Sequence, residues 1–136
     1  MNIFDIWNQD KQKLEQQASP SLYLKVREIW FTKMGKNIGF EEDGKEGFLR
    51  PVLVLKKIGT LFLTIALTSR GKKNHRFYHH LKTAEFNLNN QKYKNQSYVI
   101  LSQIKVMDKK RFTEKMGMVG KGEFKAIKEK LKEVIL

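Results

Sequence analysis

The apolar positions divide the chain into a helical lead, a run of short strands and a closing helix. In residues 3–17, Ile3, Trp7 and Leu14 lie near one stripe, with Phe4 and Ile6 beside it, which predicts a helix. Ala18-Ser19-Pro20-Ser21 ends it, because proline cannot continue a helix. Residues 1–21 therefore read as an appendage and residues 22–136 as the domain. Strands are predicted over residues 25–31, 51–55, 60–68, 76–81, 97–104 and 114–119, with a turn over 56–59. Side chains alternate along a strand, so Leu61, Leu63, Ile65 and Leu67 share a core face. Phe62, Thr64, Ala66 and Thr68 share the more polar one. Residues 69–74 form a basic loop, and residues 83–95 carry no clear period beyond a turn at Asn89-Asn90. Asp108 caps a helical turn over 109–112. Phe124, Ile127, Leu131 and Val134 recur at helical spacing and predict a helix over 122–136. The class is mainly β with terminal helices, a small barrel or strongly curved sheet, because regular strand–helix alternation is missing.

Composition narrows the partners. A chain of 136 residues forms one domain large enough to need no covalent staple. It has no cysteine, which excludes disulfides, thiolate metal sites and a cysteine nucleophile, and agrees with a reducing cytoplasm. Lys and Arg number 27 against 14 acidic residues, a net charge of +13. Such an excess points to a polyanion: nucleic acid, an anionic membrane or an acidic protein. The N-terminus lacks a basic region followed by an apolar run. The apolar stretch 51–67 is broken by Lys56-Lys57 and Gly59-Thr60, so no membrane span is expected. The protein reads as soluble and cytoplasmic.

Candidate chemistry centres on residues 39–55, a loop with three glycines and four acidic residues that runs into Arg50-Pro51 and an apolar strand. A residue before proline is held extended, so Arg50 has a fixed backbone and a free charge at a sheet rim. By these mechanics alone it is an ordinary solvated arginine. His75, His79 and His80 have no metal-ligand spacing, and the last two face opposite ways on a strand. Arg70, Lys72, Lys73 and Arg76 interleave with Phe77 and Tyr78. That mixture suits single-stranded nucleic acid equally as it suits a solvated loop. RNA cleavage without metal needs a proton acceptor, a proton donor and fixed positive charge. Glu41, Arg50 and Thr68 with Ser69 would qualify if they converge.

Arg27-Glu28-Ile29-Trp30, Gly39-x-Glu41, Arg50-Pro51-Val52-Leu53-Val54-Leu55, Leu67-Thr68-Ser69, Leu101-Ser102-Gln103-Ile104-Lys105 and Asp108-Lys109-Lys110-Arg111 occur in that order. The ordered set resembles the MazF/PemK family of toxins from type II toxin–antitoxin systems, over residues 25–136. The resemblance implies an SH3-like or CcdB-like barrel that forms a homodimer. It implies metal-free, cofactor-free cleavage of single-stranded RNA, leaving 2′,3′-cyclic phosphate and 5′-hydroxyl ends, and an acidic antitoxin as partner. Arg50 matches the family's catalytic arginine, Thr68 its strand-end hydroxyl and Glu41 an acid–base glutamate. Gln103 and Lys105 match a glutamine–basic signature, and with Ser69, Arg70, Lys72, Lys73 and Arg76 make the expected RNA contacts. The connection from Gly44 to Arg50 resembles a longer-loop subgroup. An Arg-x-Asp pair found in one branch is replaced here by Ile100 and Ser102, and that branch's histidine by Phe40. The alternatives are a CcdB-like toxin that inhibits a protein such as gyrase without cleavage, and a basic RNA-binding module.

Overall fold

The computed structural model describes residues 23–33 and 49–135. The predicted N-terminal helix and Glu41 lie outside the described residues. The strands are β1 Glu28–Lys33, β2 Leu49–Ile58, β3 Leu61–Thr68, β4 Tyr78–His80, β5 Glu85–Phe86, β6 Tyr98–Asp108 and β7 Phe112–Met118. Among the described residues one α-helix, α1, spans Lys121–Ile135. The seven strands form one antiparallel sheet in the order β4-β6-β3-β2-β1-β7-β5, so β4 and β5 are its two edges. Mainly β architecture with a C-terminal helix is thus what the chain adopts.

Several boundaries differ from the sequence reading. Arg27 adopts φ 75°, which delays β1 to Glu28. β2 continues through Lys56 and Lys57 to Ile58, and Gly59 at φ 61° makes the two-residue turn with Thr60. The stretch without a clear period contributes β5 and a helical turn over Leu88–Tyr93. Asp108 does cap the next turn, its side chain accepting from the Lys110 N–H at 2.9 Å.

Both faces of the sheet are apolar. One carries Ile29, Leu53, Leu55, Ile65, Leu67, Val99 and Leu101, and α1 closes it with Phe124 and Ile127. The other carries Trp30, Val52, Val54, Phe62, Met107 and Phe112. The face of β3 read as polar is therefore a second core. Phe62 is 5% exposed and Thr64 1%, while Leu61, expected inside, is 37% exposed. The reason is curvature. β3 and β7 are separated by β2 and β1, yet the Phe62 and Phe112 rings lie 5.7 Å apart. The sheet folds back to enclose a small interior that alternation along one strand cannot reveal. Thr64 is tolerated there because its hydroxyl donates to the Lys105 carbonyl at 2.8 Å.

Candidate nucleic-acid interface

The polar ends of β2 and β3 meet through register. Val52 pairs with Ala66 and Leu53 with Ile65. Carried two residues beyond Val52, the same register sets Arg50 opposite Thr68. Pro51 has no N–H, which fits a ladder to β3 that opens at Val52. Arg50 also pairs with Thr32, whose hydroxyl donates to the Arg50 carbonyl at 2.9 Å. Thr32 in turn pairs with Phe112, Thr68 with Tyr98, and Tyr98 with His80. One row, Phe112–Thr32–Arg50–Thr68–Tyr98–His80, thus crosses six strands. Arg50 is half-buried, and its guanidinium meets no carboxylate among the described residues.

The loop after β3 folds back over this row. The Thr68 hydroxyl oxygen accepts the Arg70 N–H at 3.1 Å, which leaves its own hydrogen free to donate. A Cβ added at Gly71 would overlap the Tyr98 ring, so the loop backbone lies directly on that ring. His80 stacks on Tyr98 with centroids 4.6 Å apart and planes at 22°. Its Nε2 lies 3.1 Å from the Asn95 carbonyl, an acceptor, so Nε2 carries the proton. Ser69, Arg70, Lys72, Lys73 and Arg76 are all exposed, with the Arg76 guanidinium 5.5 Å from the centre of the Phe77 ring. We expect Gly71→Ala to tilt the Tyr98–His80 stack and destabilise the fold by about 1–3 kcal/mol. Urea unfolding and the His80 ring proton shifts would check this, and unchanged values for both would refute the packing argument.

Gln103 and Lys105 part company. The β3–β6 register jumps from Ile65↔Ile104 to Leu67↔Val99. The extra residues form a bulge that leaves Ser102 and Gln103 exposed at the level of Ala66, beside the row. Lys105 returns to the ladder opposite Thr64, four residues or about 13 Å along β3 from Thr68. It is exposed but does not join Arg50.

Two acidic residues prove to be structural clasps. Glu28 accepts the Lys25 N–H at 2.8 Å, the Trp30 indole at 3.1 Å and the Lys115 ammonium at 2.8 Å. Burial raises its pKa, but these donors together hold it below the ordinary value. Glu123, in the first turn of α1, accepts from Lys82 N, Thr83 N and the Thr83 hydroxyl, and lies 2.8 Å from His79 Nε2. Burial raises it too, and the same donors bring it below its ordinary value. His79 moves down, because burial and the neighbouring Lys130 outweigh its Glu123 contact. The pair is thus a carboxylate beside a neutral imidazole and not an ion pair. Geometry favours a neutral ring, because Lys130 Nζ sits 2.7 Å from Nδ1 and can only donate to it. Alternation predicted that His79 and His80 face opposite ways, and they do: one meets α1 and the other Tyr98. That either joins a network was not visible, since both partners are distant in sequence.

Fold and site define a small basic antiparallel β-protein with a closing C-terminal helix and a cross-strand row that carries Arg50 and Thr68. The chain belongs to the PemK-like, MazF-like family of toxins of type II toxin–antitoxin systems, whose profile matches residues 25–135. Among solved structures, it resembles MazF from Deinococcus radiodurans, with 17% identity and a TM-score of 0.61 over 85% of this chain and 98% of that one. A MazE–MazF complex from the same organism gives 16% identity and 0.62, over 85% and 97%. An endoribonuclease in complex with its cognate antitoxin, from a mycobacterial species, gives 11% and 0.57, over 83% and 95%. These likenesses establish a shared fold. A search of curated proteins returned no significant match. No helix among the described residues is long and apolar enough to cross a membrane.

Proposed function

We propose that the protein is a toxin endoribonuclease that cuts single-stranded RNA without metal, leaving 2′,3′-cyclic phosphate and 5′-hydroxyl ends. The observation that carries this reading is the β2–β3 register, which continued two residues past Val52↔Ala66 sets Arg50 opposite Thr68 in the middle of the row. Arginine stays protonated in proteins, so Arg50 serves as fixed positive charge and not as the base. Its fork stabilises the charge that builds on the phosphorane oxygens. Thr68, its oxygen occupied by the Arg70 N–H, donates its hydrogen to the same phosphate. Glu41 takes the 2′-hydroxyl proton, a role that rests on the family resemblance. The new bond joins O2′ to phosphorus, and the bond to O5′ breaks as that oxygen takes a proton from water, while Glu41 releases the proton it took to solvent. Gln103 in its bulge and the basic loop with Arg70, Lys72, Lys73 and Arg76 hold the flanking strand.

The net charge of +13 suits RNA and also an acidic antitoxin that competes for the same face. The MazE–MazF and antitoxin-bound structures that share this fold support that partner. We take residues 22–136 as the functional unit, working as a homodimer in the cytoplasm, with residues 1–21 as an appendage. Incubation of the purified protein with mixed-sequence RNA in EDTA tests the activity. The upstream fragment of each cut should end in a 2′,3′-cyclic phosphate and the downstream one should begin with a 5′-hydroxyl. Intact RNA with folded protein, or cleavage only on adding magnesium, would overturn it. Growth arrest with RNA intact would instead favour a non-cleaving toxin.

A further inference from the structure

We propose that a cleft between the β3–β4 loop and α1 is a second RNA subsite, taking the phosphate and base of a nucleotide further along the strand from the scissile one. The proposal rests on the RNA reading above. The cleft encloses about 320 Å³, with His75, Arg76 and Tyr78 on one wall and Lys130, Glu133 and Val134 on the other. Its charge is set by the His79 network. His79 donates its Nε2–H hydrogen bond to the Glu123 carboxylate, so Nδ1 presents a lone pair to Lys130 at 2.7 Å. That contact anchors the ammonium and leaves two of its three N–H groups available. Glu123 cannot neutralise Lys130 by contact, because its oxygens are filled by His79, Lys82 and Thr83. Arg76 has no carboxylate partner among the described residues and leans on the Phe77 ring. Two cations therefore face one cleft, whose single carboxylate, Glu133, offsets part of their field.

The rings favour a nucleotide over an acidic peptide. His75 packs edge-on to Tyr78 at 5.2 Å and tilts against Phe77 at 5.8 Å. His75 and Phe77 are exposed, which offers a base a stacking surface next to the cations. An acidic peptide would use the cations and leave the rings idle. The location also fits. β4 is separated from β3 by β6 alone, so the cleft stands two strands from Thr68 at the β4 edge, on the side of the sheet that α1 covers, and is reached over the basic loop.

Fluorescence anisotropy with labelled 2′-O-methyl RNA, which cannot be cleaved, tests the site independently of catalysis. Short and long mixed-sequence oligonucleotides would be titrated against the full chain over a range of salt. Lys130→Gln and Arg76→Gln should each weaken long-oligonucleotide binding roughly threefold or more, and reduce the salt slope by about 0.7. Binding of the shortest oligonucleotides should be unchanged in Lys130→Gln. Glu133→Lys, which leaves the His79 contacts untouched, should tighten the long oligonucleotide. Wild-type affinity for long RNA in all three variants would overturn the subsite. So would weakened binding of a polyglutamate peptide with RNA binding intact. If wild type binds RNA with this pattern yet never cuts unmodified RNA, the nuclease reading fails and the subsite stands.

Discussion

Arg50→Ala should lower the rate of RNA cleavage by about 10²–10³-fold, the loss seen when one preorganised donor to a transition state is removed. The fall should appear in kcat with little change in KM, because the guanidinium meets its full charge complement only as the phosphorane forms. Stability should hardly change. The contact that locks this residue to β1 runs through its backbone carbonyl, which Thr32 engages and alanine retains. Arg50→Lys should recover only part of the rate, since a single ammonium cannot reproduce the two-pronged contact. Single-turnover cleavage of a defined RNA by wild type and both variants would measure this. A folded Arg50→Ala protein that cuts at the wild-type rate would remove Arg50 from the mechanism.

Glu123→Ala should destabilise the fold by roughly 2–4 kcal/mol. Its carboxylate joins α1 to the strand carrying His79 and to the backbone at Lys82 and Thr83 through charge-assisted hydrogen bonds. The pH dependence follows in sign. Glu123 is held below its ordinary value of 4.5 in the fold, so its contribution is complete above that value. It is lost as the pH falls through the folded value. His79 is held below its ordinary 6.5 and favours the neutral ring, so its contribution too is complete above 6.5 and declines as the pH falls. Wild type should therefore lose stability on acidification from about pH 6.5, and more steeply below 4.5. In Glu123→Ala the lower part of that slope should flatten, leaving what Glu28 contributes. Urea unfolding at a series of pH values checks both. Equal slopes in the two proteins would show that Glu123 gains nothing from its partners.

Much of the architecture was legible because local periods report it. The stripe of Phe124, Ile127, Leu131 and Val134 marks α1 within a residue of its bounds, since burial on one side of a helix imposes that spacing. The apolar run after Pro51 marks β2, since a central strand is buried on both faces. β5 was not legible. Two residues hold no period, and their pairing with Met118 and Gly117 comes from distant chain. The bulge that separates Gln103 from Lys105 was hidden for the same reason, because it exists only relative to β3.

The sequence by itself determined the charge, the mainly β class, the closing helix and the ordered residues by which the family is recognised. Each depends on residue type and near-neighbour spacing. Tertiary structure alone decided that Arg50 stands level with Thr68, that Phe62 turns inward to meet Phe112, and that His79 joins Lys130 to Glu123. These are pairings between residues far apart in the chain, and only the register and curvature of the folded sheet bring them together.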